Sequence, residues 1–286
     1  MRFRTEIESI RPGFNLGFDR PVLLLGSCFT DEIGARLGND GFDVMRNPFG
    51  ALYNPASIAN CISRAAAEAP YTVGDLNEGP RGMHCLDYAT RFSGADADIL
   101  LADINAVRSS LADFLDRKPV VIITLGSAFV FRLAGTDRIV GNCHKFDASC
   151  FERERLTVDE IENILLKIVD TLRAAGVENI IFTVSPIRHL ADGLHGNELS
   201  KASLLLAVDA AVERVGEGVF YFPSYEIMLD DLRDYRFYAQ DMKHPSDTAV
   251  DYIYEKFAEA FFTKETLKKA LDNRRASRSA NHRQIL

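Results

Sequence analysis

Four short apolar runs constrain this chain more than any other feature: Pro21-Val22-Leu23-Leu24-Leu25, Val120-Val121-Ile122-Ile123-Thr124-Leu125, Asn179-Ile180-Ile181-Phe182-Thr183-Val184 and Val219-Phe220-Tyr221-Phe222-Pro223. Each has the length of a strand, is rich in β-branched or aromatic residues, and is apolar at successive positions. Both faces of such a strand need cover, which a parallel sheet flanked by helices supplies. A fifth strand is expected at Gly41-Phe42-Asp43-Val44-Met45, after a short helix from about Asp31 to Gly38.

Helical patterns fill the intervals. Thr157-Val158-Asp159-Glu160 has the spacing of a capping box. Ile161, Leu165, Ile168, Val169 and Leu172 then keep one apolar face, and Gly176 supplies the stop. A second helix is predicted from about Asn197 to Val215. A third opens behind the N-cap Ser246, with Val250, Ile253, Phe257 and Phe261 on its buried stripe. Strands alternating with helices make the fold class α/β, a three-layer α/β/α sandwich around a central parallel sheet of about five strands. Phe129–Leu133 and Asp137–Val140 read as a hairpin appended to it. The Gly- and Pro-rich stretch from Pro70 to Gly94 is expected to be a long loop or a lid over the site. Residues 1–265 form one domain, and 266–286, which includes the polar, basic run Asn273 to Ser279, is expected to be a disordered tail.

Charge and composition narrow the partners. A net charge of -8 provides no electrostatic footprint for nucleic acid and disfavours anionic membrane surfaces. No run of ~18 apolar residues is present, so no membrane span is expected. The first residues lack the apolar stretch of an export signal. The 5 cysteines are Cys28, Cys61, Cys85, Cys143 and Cys150, and their odd number and wide spacing fit reduced thiols in the cytoplasm. No CxxC pair occurs, and Cys143 is too close to His144 to chelate on one face, so neither a metal nor another cofactor is expected. Oligomeric state has no sequence signal.

Chemistry concentrates at two places. Gly26-Ser27-Cys28-Phe29-Thr30 leaves the carboxyl end of the first strand and enters a helix, where free N–H groups and the positive end of the helix dipole stabilise an oxyanion. The same field lowers a thiol pKa, partly cancelled here by Asp31 and Glu32. Ser27 as an N-cap and Cys28 as a small buried hydrophobe is the bland alternative. Asp241-Met242-Lys243-His244-Pro245 follows the last strand. An Asp three residues before a His can accept its ring N–H and fix the tautomer of a general base.

Together these motifs resemble the SGNH/GDSL hydrolase superfamily. GSCF, then Asn142-Cys143-His144-Lys145, then Ser185-Pro186-Ile187-Arg188-His189, then Asp241 and His244, resemble more narrowly the GSCFA-domain family within it. The resemblance runs from about Arg4 to Phe262. It implies a flavodoxin-like SGNH fold and an acyl-ester hydrolase or acyltransferase acting on a small-molecule or carbohydrate ester. Its register puts Cys28 at the nucleophile position, with Ser27 as the alternative if the turn is shifted by one. Gly50, in Asn47-Pro48-Phe49-Gly50, matches one oxyanion donor. The superfamily's Gly-x-Asn-Asp block reads Gly126-Ser127-Ala128-Phe129, so its asparagine is missing, and Ser127 or Asn142 is left to replace it. His144, Arg188 and His189 are the expected pocket and substrate contacts. The incomplete donor set keeps a non-catalytic sugar- or peptide-binding module as the rival.

Overall fold

The computed structural model describes residues 5–283 apart from 9, 11, 80 and 81, with side chains through 276. The opening residues 1–4 and the last three of the tail, 284–286, lie outside the described residues. Five parallel strands make the central sheet: β1 (Val22–Gly26), β2 (Val44–Arg46), β3 (Val120–Leu125), β4 (Ile180–Val184) and β5 (Val219–Phe222). Their spatial order is β2-β1-β3-β4-β5, and every pairing is parallel. This is the flavodoxin-like order, with its topological switch between β1 and β3. β2 is only three residues long and starts three residues later than the sequence pattern suggests.

Side-chain alternation along the strands builds two cores. Leu23, Leu25, Val121 and Ile123 face one layer, with Ile58, Ile104, Leu165 and Leu204. Val22, Leu24, Val120 and Ile122 face the other, with Phe29, Ile33, Ile253 and Phe257. The first layer is made by α2 (Pro55–Ala66), α3 (Ala97–Asp116), α4 (Val158–Ala174) and α5 (Gly193–Val215). The second is made by α1 (Cys28–Asn39) and α6 (Asp247–Phe261). The Thr157–Glu160 capping box and the Ser246 cap are both present.

Two small antiparallel sheets flank the sandwich. The expected hairpin forms, Phe129–Leu133 pairing with Ile139–Val140, and Phe151–Arg155 adds a third strand on its other side. Rather than a loose lid, the segment from Pro70 to Gly94 makes short strands at Asn77–Gly79, Gly82–His84 and Ser93–Gly94. Tyr88 anchors this segment: its ring stacks on Phe49 at 3.8 Å and its hydroxyl meets that of Tyr71 at 2.5 Å. Among the described residues no helix is long and apolar enough to cross a membrane.

The expected disordered tail is instead helical, α7 (Lys264–Arg283). Ala270 is fully buried, and Arg274 donates from Nε and Nη2 to the Asp40 carboxylate, both at 2.7 Å. Tyr254 donates to the same carboxylate at 2.7 Å, and Asn273 caps the Asp40 carbonyl at 2.8 Å. A basic run reads as solvated when its acidic partner lies some 230 positions away; here that partner is a carboxylate only 1% exposed. Arg274→Ala strands this buried carboxylate with a single neutral donor. The substitution should destabilise the protein by about 2–4 kcal/mol, measured as a lowered urea midpoint at constant slope.

Candidate active site

At the switch point the chains leaving β1 and β3 diverge, and the carboxyl ends of β1, β3 and β4 border one crevice. Gly26 closes β1 at φ +140°, and a Cβ there would lie 2.1 Å from the Thr124 carbonyl oxygen of β3. Only glycine permits this approach. Three further bonds hold the turn: Ser27 N–H to Thr124 O at 3.1 Å, Gly26 N–H to Asn47 Oδ1 at 2.9 Å, and Leu52 N–H to Gly26 O at 2.9 Å. The chain then enters α1 with Cys28 as its first residue.

The geometry separates the two nucleophile candidates. Ser27 is fully buried and donates its hydroxyl to Ser185 Oγ at 3.0 Å, joining the ends of β1 and β4 instead of capping α1. Cys28 is half-buried, and its Sγ lies 3.6 Å from His244 Nε2. His244 Nδ1 in turn lies 2.5 Å from Asp241 Oδ2. The other Asp241 oxygen accepts the backbone N–H groups of Lys243 and His244 at 2.9 and 3.0 Å. These bonds hold the Asp241 carboxyl well below the usual carboxylate range. The carboxylate therefore keeps the proton of neutral His244 on Nδ1 and leaves the Nε2 lone pair facing the thiol. The loop is fixed by Ala239 N–H to His244 O at 2.7 Å and by Arg188 N–H to Lys243 O at 3.1 Å.

One electrostatic expectation is reversed. Burial raises the Cys28 pKa and the Asp31 carboxylate adds to the rise. The N–H groups of Cys28 and Phe29, and the Tyr53 side chain, pull it down without prevailing. Cys28 at neutral pH is a thiol needing a base, not a preformed thiolate.

The other expected pocket residues have partners of their own. Gly50 sits at φ +81°, but its N–H donates to Asn47 O at 2.8 Å. The Ser127 N–H goes to Tyr53 O at 2.9 Å, and its hydroxyl accepts the Phe129 N–H at 3.0 Å. Asn142 accepts the His144 N–H at 2.8 Å within its own turn. His144 is 4% exposed, its Nε2 donates to Tyr88 O at 2.9 Å, and its Nδ1 lies 3.4 Å from His84 Nδ1. It packs against the segment from Pro70 to Gly94. Arg188 lies over Tyr238 at 4.0 Å and Tyr235 at 5.1 Å, beside the His244 loop. Burial pushes His189 down to about 4, so it is a neutral ring, set edge-on to Tyr53 with centroids 5.4 Å apart. Among the described residues its buried Nε2 has no hydrogen-bond partner.

Two residues carry more of the site than their sequence context suggests. Tyr53 is placed beside Cys28 by the Gly126 and Ser127 amides, which donate to its carbonyl at 2.8 and 2.9 Å. Lys201, on α5, is completely buried, and its Nζ donates to Gly126 O and Ser185 O, both at 2.8 Å. It ties the exits of β3 and β4 together beneath the crevice. Ser200 and Lys201 are polar residues at inward positions of a helix, the one signal available for them in the sequence.

The family model named GSCFA family matches residues 21–257. This chain belongs to the GSCFA family. No curated protein matches its sequence. Among solved structures it is similar to a carbohydrate esterase family 2 enzyme with a carbohydrate-binding domain from Corynascus thermopiles (Myceliophthora fergusii). That pair is 13% identical at a TM-score of 0.44, covering 89% of this chain and 67% of the other. A carbohydrate esterase family 3 from Talaromyces cellulolyticus is 10% identical at a TM-score of 0.41, covering 88% and 99%.

Two titrations follow from this GSCFA site. Burial pushes Lys201 down to about 7, whereas an unfolded lysine titrates near ~10.4. Between those values the unfolded state binds the extra proton, so this residue makes stability rise with pH across that window. Lys201→Met should remove that part of the slope in urea melts taken from pH 6 to 10, whatever the change in level from the two carbonyls it leaves unpaired. Iodoacetamide alkylation followed on the Cys28 peptide should have its midpoint above the ~8.5 of a free cysteine, and Asp31→Asn should move that midpoint down.

Proposed function

We propose that this GSCFA protein is an acyl-ester hydrolase or acyltransferase with Cys28 as nucleophile, His244 as general base and acid, and Asp241 as the group that orients it. The observation that carries the proposal is the Sγ to Nε2 distance of 3.6 Å in line with the Nδ1 to Oδ2 distance of 2.5 Å, at a helix N-terminus beside the switch point. His244 Nε2 takes the thiol proton as Sγ attacks the ester carbonyl. The tetrahedral oxyanion forms next to the N–H groups of Cys28 and Phe29. It collapses to a thioester as His244 returns the proton to the leaving alcohol. Water then gives the acid, or an acceptor hydroxyl gives a new ester, with His244 again removing its proton.

His244 and Asp241 are each nearly half exposed, at 47% and 45%, so water or an acceptor can reach the base directly. Small-molecule or carbohydrate esters are the substrates in this proposal, with His189 and Arg188 lining the approach. Cytoplasmic residence belongs to the proposal as well and rests on the five unpaired thiols, Cys28 among them.

A binding module is the second reading, and a specific observation favours it. The Gly50 and Ser127 amides, expected as oxyanion donors, are committed to Asn47 O and Tyr53 O. Turnover of short acyl p-nitrophenyl esters separates the two. Wild type should exceed background, Cys28→Ala should abolish the excess, and His244→Ala should lower it by about 10²–10⁴-fold. Ser27→Ala, which loses only a buried bond to Ser185, should retain activity within roughly tenfold. No turnover in wild type leaves the binding module, and loss in Ser27→Ala without loss in Cys28→Ala overturns the assignment of the nucleophile.

A further inference from the structure

Where the superfamily resemblance calls for an asparagine after β3, this chain has Gly126-Ser127, and the turn does something different with its backbone. Both amides point at one acceptor, the Tyr53 carbonyl, at 2.8 and 2.9 Å. Gly126 makes this close contact possible, because a Cβ there would meet Tyr53 O at 3.1 Å and Tyr53 Cδ1 at 3.2 Å. The preceding residue, Leu52, donates to Gly26 O at 2.9 Å, so the same short segment is clamped to the nucleophile turn as well. His189 closes the other side, its ring at 78° to that of Tyr53. Tyr53 is thus held at the crevice by its carbonyl, next to a residue bonded to the β1 turn, while remaining 37% exposed. The Tyr53 and Cys28 side chains are neighbours at the crevice, close enough for each to shift the other's titration.

We propose that Tyr53 is a catalytic residue whose hydroxyl donates to the oxyanion formed at Cys28, taking the place of the missing asparagine. The inference rests on the acyl-transfer chemistry of the preceding section. The phenol is suited to the task, because burial and the neighbouring Cys28 raise its pKa and keep its proton in place. As Sγ loses its proton to His244 and bonds the carbonyl carbon, negative charge passes from sulfur to the carbonyl oxygen about one bond length further out. The Tyr53 hydroxyl then bonds that oxygen, and the Cys28 and Phe29 amides supply the remaining donors. No proton leaves Tyr53 in this step; it stabilises charge and is unchanged when the thioester forms.

Two electrophiles that attack the same sulfur distinguish oxyanion stabilisation from an effect on the thiol. p-Nitrophenyl acetate acylates Cys28 through a tetrahedral oxyanion, whereas iodoacetamide alkylates it by direct displacement and forms none. Tyr53→Phe keeps the ring against His189 and the carbonyl that accepts the Gly126 and Ser127 amides, and a melting curve checks that the fold is intact. With both adducts located on the Cys28 peptide by mass, acylation in Tyr53→Phe should slow by about 10²-fold, and alkylation by less than tenfold. Equal slowing of both reactions, or slowing of neither, overturns the role of Tyr53 while leaving the nucleophile assignment standing. Wild-type Cys28 that is acylated no faster than free cysteine overturns the acyl-transfer proposal itself, and the role of Tyr53 with it.

Discussion

Everything at the crevice depends on one backbone approach, that of Gly26 to Thr124. With no Cβ in the way, the end of β1 lies against β3 and the chain turns directly into α1. That places the first amides of α1 and the Cys28 sulfur at the switch point, where the topology already opens a cleft. Ser27 and Asn47 then secure the turn from β4 and from the chain after β2. A side chain at position 26 would push β1 and β3 apart, and with them the bonds that position Cys28 and Tyr53. The constraint is steric and local, yet its effects extend across three strands.

The fold was legible because the central strands are apolar on both faces, a pattern that few architectures satisfy. Cys28, Asp241 and His244 stand out for a related reason, since reactive side chains next to strand exits contrast with apolar surroundings, and the structure brings the three together. Other parts left weaker traces. The stripe of α2 includes Cys61 and Ala65, which contrast little with their neighbours, although Asn54 followed by Pro55 is a helix-start signal. Asp96 marks α3 in the same way. Partnership across long sequence separations was not legible at all. Arg274 looks like part of a solvated tail until Asp40 is brought to it, and Lys201 looks like a helix-opening charge until two strand exits converge on its amine. Gly50 and Ser127 fail for the converse reason: their residue types fit the role, but their N–H groups have been claimed by Asn47 and Tyr53.

Electrostatically, the site is arranged for neutrality rather than stored charge. Cys28 is raised, His189 and Lys201 are lowered, and each shift has burial as its leading cause. The exception is Asp241, which stays ionised through two backbone donors and one imidazole. Beside the ionised Asp241, an uncharged Cys28 thiol suits the proposed reaction, which creates charge on sulfur and on the substrate oxygen only transiently.

Asp241 and His244 occupy one four-residue turn, whose interior Met242 is in the left-handed region at φ +57°. Imidazole and carboxylate therefore travel together, while the Cys28 sulfur belongs to a helix at the other end of the sequence. Motion of this loop changes the gap between sulfur and nitrogen but not the bond that sets the tautomer. If Cys28 and His244 act as proposed, breathing of the loop would behave as a clutch: it would disengage proton transfer while the imidazole stayed primed, and engagement would resume without any reorientation of the ring.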